Sequence, residues 1–596
     1  MLTAPSRPHD PLVSRVLASF LLLTACSSIG RDTNIVDPEP LQAEPTKTAE
    51  EPSTPAVRTY PAPPGPEDPR PTNFPDLQKF ELGNRLQVVV VESHDVPLVD
   101  VQLVLNVGDI HDELLAATTA NLLTRGTTKR NKTEMDEQLA RLGSSLAVSF
   151  GTHETTVSTV VLKPHLSEAL ELVGDVARNP RFEAELVDAL REQQASALRQ
   201  AKSSAHALGN TLLFMKLYPE GHPYGRTFIR EEELEALGVQ ALEEFHELWY
   251  RPNNARLILS GAITLEEAKT IARKIFDDWK PRKEEFPPYP LKRFASADYQ
   301  EALPSKYTIH IVDRPSASTE VLIGNLALAR DDSNWEKMEI VNRIFGAGPQ
   351  SRIFVDGGLR PPPSFERERA NGPREHSASD AALRLILESS RASAPSTCHD
   401  TRSTIGDPGS ASKRFSCDLW DLRDNRRSTH HVGSRVTRAK AVGAFHVATQ
   451  TNEVDVVLES VFEQIDRIHG KLPPSVEPEV AEATIGRDPS EAEFERALRE
   501  IVQALTLQIE TASQVAQRVR TQLTFGLPDT YWRTYPDRLD AMQREEVKEI
   551  AKRYIHPIPV IVLVGEAQAI KQQLARVDRL RTADILVYDT NLEPMP

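Results

Sequence analysis

The sequence predicts an α+β protein assembled from two similar halves, and three observations carry that expectation. From about residue 76 onward, short aliphatic runs of strand length alternate with longer stretches of helical period. The first half closes on a Pro-containing turn, a strand ending in glycine and a helix, and the same ending recurs about 300 residues later. The composition is 39% hydrophobic and 26% charged, which excludes a multispanning membrane protein. The balance of 70 basic against 86 acidic residues leaves a formal charge of −16, unlike the basic footprint of a nucleic-acid binder. Three cysteines are too few for a disulfide scaffold. At 596 residues the chain is too long for one core, and about 150 residues per domain suggests three or four.

The first element is an address. Arg7 and Arg15 precede the apolar run Val16–Leu23, the charged start and short core of a secretory signal over residues 1–25. The run is far short of the roughly 20 residues that a membrane-spanning helix needs. It ends in Leu23-Thr24-Ala25-Cys26, which resembles the bacterial lipobox, in which the cysteine is acylated and becomes the mature N-terminus. Ser27 rather than aspartate follows, so the expectation is an outer-membrane lipoprotein of the bacterial cell envelope, facing the periplasm. Residues 27–75 hold twelve of the 44 prolines among Glu, Thr, Ser and Ala. Such a segment, 26–75 with the cysteine, buries too little to offset chain entropy and reads as an extended tether.

The globular pattern begins after Phe80. Leu86–Val91 is a buried-strand run behind the Gly83-Asn84 turn, and Val99–Val107 is a second strand. A helix is expected over 112–125, and another from Thr133 as N-cap with Asp136 in a box-like position. Strands near 145–163 and helices over 165–177 and 183–205 follow. Arg251-Pro252-Asn253-Asn254 turns into the strand Ala255–Gly261 and a helix near 265–278. In the second half, Arg553-Tyr554-Ile555-His556-Pro557 leads to the strand Val560–Gly565 and a helix over 568–578.

These halves carry motifs whose order and spacing resemble the M16 family, the insulinase-like and mitochondrial-processing-peptidase-like metallopeptidases. In the first half they are Leu123–Arg130, Leu142–Ser145, Gly221-His222-Pro223-Tyr224-Gly225 and Tyr250–Asn254. In the second they are Asp313-Arg314-Pro315, Ser351-Arg352-Ile353-Phe354, and Gly526-Leu527-Pro528 running on to Tyr535-Pro536. The resemblance implies two homologous α/β domains, each a sheet covered by helices. With it the chain divides into a signal over 1–25, a tether over 26–75, a first domain over 76–285, a linker over 286–300, a second domain over 301–580 and a tail over 581–596.

Active members of the family carry His-x-x-Glu-His about nine residues before the Gly-Thr. Imidazoles at i and i+4 share one helical face and bind Zn²⁺, while the glutamate activates water. Counting back from Gly126 places Ala117 and Asn121 at the ligand positions and Ala120 at the base. The third ligand, a later glutamate, falls near Leu198-Arg199, and neighbouring Glu192 reads as a solvated helix residue. His111, His153 and His165 are scattered among strand ends and turns, and His222 reads as structural. The family's second-half signature, an arginine and a tyrosine that hold the substrate backbone, matches best at Leu422–Ser434, with Gly443-Ala444-Phe445 following. Arg423 keeps the arginine position and His430 replaces the tyrosine, so both are candidate clamp residues.

Residues 356–418 intervene where the family runs almost directly from one motif to the next. Their nine acids balance nine bases, and only Ala381–Leu387 has the look of a helix. A surface loop, a translated reading-frame error and a partner-binding loop all remain open, as does pairing of Cys398 with Cys417 or a zinc site built from Cys398, His399, Cys417 and His430. Residues 475–489 read as a smaller insertion. The expectation is a non-catalytic subunit with no cofactor of its own. It pairs with a sister that carries intact His-x-x-Glu-His and zinc, binds extended peptides, and reaches the membrane through its lipid anchor. The alternatives are a stand-alone pseudopeptidase acting as an envelope scaffold and, last, an active zinc peptidase with relocated ligands.

Overall fold

The computed structural model describes residues 74–294, 298–299, 304–348, 351–355, 429–471 and 489–596. The signal, Cys26, nearly all of the tether, the 356–418 insertion with Cys398 and Cys417, Arg423 and most of 475–489 lie outside them.

The first half holds β1 (Gln78–Glu81), β2 (Gln87–Glu92), β3 (Leu98–Leu105), β4 (Leu146–Phe150), β5 (Thr155–Leu162) and β6 (Ala255–Gly261). Its helices are α1 (Glu113–Leu122), α2 (Lys132–Arg141), α3 (Leu166–Arg178), α4 (Ala184–Ser203), α5 (Ala205–Leu217), α6 (Glu231–Glu235), α7 (Val239–Trp249) and α8 (Leu265–Phe276). The second half holds β7 (Thr308–Asp313), β8 (Thr319–Leu326), β9 (Thr429–Val436), β10 (Ala444–Thr451), β11 (Val560–Gly565) and β12 (Asp584–Tyr588). Its helices are α9 (Trp335–Phe345), α10 (Arg352–Val355), α11 (Val454–Ile468), α12 (Glu491–Leu507), α13 (Ala512–Thr524), α14 (Tyr535–Asp540), α15 (Arg544–Tyr554) and α16 (Ala567–Leu574).

Each half forms one six-stranded sheet, in the orders β1-β2-β6-β3-β5-β4 and β12-β7-β11-β8-β10-β9. Replacing β2, β3, β4, β5 and β6 by β7, β8, β9, β10 and β11 turns one order into the other, so the expected duplication is a duplication of topology. The parallel pairs β2–β6 and β7–β11 lie inside the sheets. Strands covered on both faces read as continuous aliphatic runs, which is why Val88–Val91 and Val560–Val564 were legible as strands.

The sixth strand comes from opposite ends of the chain. β1 precedes its sheet and pairs antiparallel to β2, whereas β12 follows its sheet and pairs parallel to β7. Residues 581–596 are therefore not a simple tail: Ile585, Leu586 and Val587 add an edge strand, and the Tyr588 hydroxyl meets His310 Nδ1 at 3.0 Å. The start of α2 also differs from expectation. Asn131 caps it, accepting from Glu134 N while Glu134 accepts from Asn131 N, so Thr133 sits inside the first turn and Asp136 pairs with Lys132.

The halves clasp each other with one helix apiece. α5 lies on β8 and β11 of the second sheet, and α13 lies on β3 and β6 of the first. Leu208, Leu212, Leu213 and Leu217 share one core with Leu322, Val562 and Val564. Gly209 is the point of closest approach: a Cβ there would run into the Leu322 side chain and touch Val564. On the other side Arg520 bridges to Glu154 at 3.3 Å and to the Thr156 hydroxyl at 3.3 Å.

Candidate functional site

α1 begins where Asp112 caps Leu115 N at 2.8 Å, and it is apolar nearly all round because α4 and α7 pack against it. Ala117 is 6% exposed and Ala120 is 2% exposed. Asn121 folds back on its own helix, its Nδ2 donating to the Ala117 carbonyl at 2.8 Å. Leu198 on α4 packs into a cluster with Leu114, Leu122, Val187 and Leu190, while Glu192 and Arg199 are exposed. The ligand and base positions of the zinc motif thus hold two methyl groups, an amide turned onto its helix, and a leucine. Zinc requires imidazole, thiolate or carboxylate donors, and this set does not fit it. No group of three His, Cys, Asp or Glu side chains among the described residues could hold a metal ion.

The scattered histidines do something else. His153 has both ring nitrogens engaged, Nδ1 with the Tyr289 hydroxyl at 2.5 Å and Nε2 with the Tyr224 hydroxyl at 3.2 Å. His111 packs edge-on against Trp249 and Tyr289 and accepts from Gly108 N at 3.2 Å. His165 stands at the N-terminal end of α3 and makes no cap bond with its side chain. Lys440, from the β9–β10 turn, lies 5.1 Å from the Tyr289 ring centre, and its backbone N–H donates to the Tyr224 hydroxyl at 3.2 Å. Burial, with Lys440 next, holds His153 down to about 3. Burial holds His111 to about 4, opposed by the Gly108 backbone. Burial lowers Lys440 to about 8, with Arg256 adding to it. The imidazoles are therefore neutral at pH 7, and the cluster ties the halves together through Tyr224, Tyr289 and Lys440. His222 caps its own turn, Nδ1 accepting from Tyr224 N at 3.1 Å, and Nε2 meets the Tyr299 hydroxyl at 3.1 Å. Tyr289, in the segment expected to be a plain linker, is thus a packed residue.

Of the two clamp candidates, Arg423 lies outside the described residues. His430 lies on β9, the edge strand of the second sheet, whose register runs from Thr429 opposite Thr451 to Val436 opposite Phe445. A residue that sequence reasoning passed over as part of a motif has a clear structural task. Arg352 is 3% exposed and forks onto Glu493, Nε to Oε1 at 2.7 Å and Nη2 to Oε2 at 2.8 Å. Glu493 also completes the capping box of Ser490 on α12. Burial opposes charge on Glu493, but the Arg352 guanidinium overrides it and lowers the carboxyl to about 2. The Ser-x-x-Glu spacing was visible in the sequence; its partner 141 residues away was not.

Comparison with known proteins agrees with this architecture. The family model described as Insulinase (Peptidase family M16) matches residues 87–224. The model described as Peptidase M16 inactive domain matches residues 236–356, ending where the intervening segment begins. A probable zinc protease, PqqL, of Haemophilus influenzae is 24% identical over 223 residues, covering 35% of this chain and 24% of its own length. Cytochrome b-c1 complex subunit 1 of Caenorhabditis elegans is 26% identical over 205 residues, covering 32% of this chain and 41% of its own. The chain thus spans less than half the length of both curated relatives. A crystal structure titled peptidase M16 inactive domain, from Pseudomonas fluorescens, superposes with a TM-score of 0.59 at 18% identity, covering 83% of this chain and 98% of that one.

Proposed function

Because the chain is a two-domain member of the M16 family, we propose that it is a non-catalytic peptidase-like subunit that works beside a zinc-bearing sister. The observation that carries this reading is the content of the zinc locus: Ala117, Ala120 and Asn121 offer neither an imidazole nor a carboxylate. No hydrolytic step can be written through those side chains. What remains is the scaffold that such a step needs, two sheets each with an outer strand, β4 and β9, at one end. An extended peptide can add to such an edge through backbone hydrogen bonds, with side-chain pockets supplying selectivity. In this reading Arg423 and His430 hold the peptide backbone, zinc and the activating glutamate belong to the sister, and acylated Cys26 anchors the subunit on the periplasmic face of the outer membrane. The C. elegans relative is a subunit of the cytochrome b-c1 complex, which supports work alongside other chains.

The experiment is co-purification from membranes followed by reconstitution. A sister chain with intact His-x-x-Glu-His should co-purify, and peptide cleavage should require both chains. Substituting Arg423→Ala should lower the activity of the pair about ten-fold or more, the scale of losing a charged contact to substrate. A chain that purifies alone and leaves every peptidase unaffected would instead be a stand-alone scaffold, and the pairing would be wrong.

A further inference from the structure

Five arginines of the second half line one cavity, which Asn210 and Phe214 of α5 also border. It has a volume of about 640 Å³ and is lined by Arg330, Arg343, Arg435, Arg438 and Arg518, with Glu339 the one carboxylate among its lining residues. Glu339 accepts the Tyr535 hydroxyl at 2.8 Å, and Arg343 has Glu500 at 3.7 Å. The other four guanidiniums have no carboxylate within ion-pair distance among the described residues. Arg330 is 3% exposed and lies 4.8 Å from the Trp335 ring centre and 5.1 Å from that of Tyr531. Arg518 lies 4.7 Å from the Trp532 ring centre. Burial lowers the Arg518 pKa, with the Arg438 and Arg330 charges adding to it and Tyr535 and Glu339 opposing it. His446, also in the wall, is held down to about 4 by burial and brings no charge of its own at neutral pH.

Overall charge does not explain this gathering, since the chain as a whole carries −16. Arg435 and Arg438 are exposed, but Arg330 is buried and Arg518 partly so, and like charges held away from water repel one another more than at the surface, which favours entry of an anion. The guanidinium fork matches the paired oxygens of carboxylate and phosphate. The volume is that of a small-molecule site, and Trp335, Trp532 and Tyr535 supply the flat apolar walls such sites usually have. None of the lining residues belongs to α1, so the cavity is separate from the degenerate zinc locus and independent of the pairing proposed above.

We propose that this cavity binds a small oxyanion-bearing molecule, a phosphate compound or a polycarboxylate, with its oxygens on the guanidiniums and its carbon body against the indole and phenol rings.

Inorganic phosphate and citrate, titrated separately into the full chain at constant ionic strength, distinguish the two sources. The readouts are tryptophan fluorescence, to which Trp335 and Trp532 contribute from the wall, and the thermal midpoint. At least one probe should saturate and raise Tm by several degrees, and the tighter of the two identifies the source. Arg435 and Arg438 are exposed, so R435Q/R438Q leaves the fold intact and should weaken that probe about ten-fold or more. The single variant Arg518→Gln should weaken it too, while relief of repulsion keeps the ligand-free Tm from falling. Absence of saturation with both probes up to about 20 mM, or an unchanged affinity in R435Q/R438Q, would overturn the proposal.

Discussion

Position 120 is the one that the family resemblance assigns to the catalytic glutamate. Where the family motif places a glutamate, Ala120 is 2% exposed, so a longer charged side chain there would have to enter the packed interior. Ala120→Glu should therefore destabilise the protein by about 3 kcal/mol or more, from overpacking and charge burial together, measured as a lower urea midpoint. Arg352 makes the opposite point: an arginine inside a family motif serves packing rather than substrate. Arg352→Met strands the buried Glu493 carboxylate and should cost about 3–5 kcal/mol at pH 7. Glu493 is lowered to about 2, so the stability it contributes is full above its ordinary value near 4.5 and is lost as pH falls from there toward 2. His153 acts earlier in an acid titration. Its folded value of about 3 lies below the ordinary 6.5, so the unfolded chain takes up a proton first, and stability falls as pH drops from 6.5 toward 3. His153→Gln keeps a hydrogen-bonding side chain without the titration, and should reduce the slope of Tm on pH between 6.5 and 4.5, leaving the part owed to His111, His222 and His446, which burial lowers too. An unchanged slope would show that His153 does not contribute.

Among the elements, α5 and α13 decide whether the halves behave as one body. Each stands on the sheet of the other half, so neither sheet keeps its apolar face covered if the halves part. Thermal unfolding should then be a single transition, with far-UV and tryptophan signals coincident; two separated transitions would contradict the clasp. Gly209→Val places side-chain atoms against Leu322 and Val564 and should lower stability by about 1–3 kcal/mol. The strands buried on both faces, β2, β6 and β11, were legible because their aliphatic runs have no polar interruption. α5 was not read as a separate helix because it is apolar on more than one side, wedged between α4 and the second sheet, and so lacks a clean amphipathic period. β12 was missed because an edge strand needs only a few apolar residues, and Ile585 and Leu586 remain partly exposed. The start of α2 was misplaced because two capping pairs overlap within six residues and only Asn131 has the extended backbone of an N-cap.

For the whole molecule, where length alone suggests three or four domains, the described residues form two sheets of one topology. The family resemblance, counted back from Gly126, directs attention to Ala117, Ala120 and Asn121, and the structure shows two buried methyl groups and an amide bonded to its own helix there. What filled the space could not be read, because the Leu198 cluster and the His153–Tyr289–Lys440 contacts join segments far apart in sequence. The arginine cavity was equally hidden, its charges being scattered from Arg330 to Arg518 in an acidic chain. The central claim is the proposed one, that this chain keeps the M16 architecture but holds no zinc of its own. Equilibrium dialysis of the purified chain against zinc, with metal content and hydrolysis of an unstructured peptide measured on the same sample, tests it most directly. The account predicts no stoichiometric zinc and no cleavage by the chain alone; one zinc per chain together with independent proteolysis would contradict it.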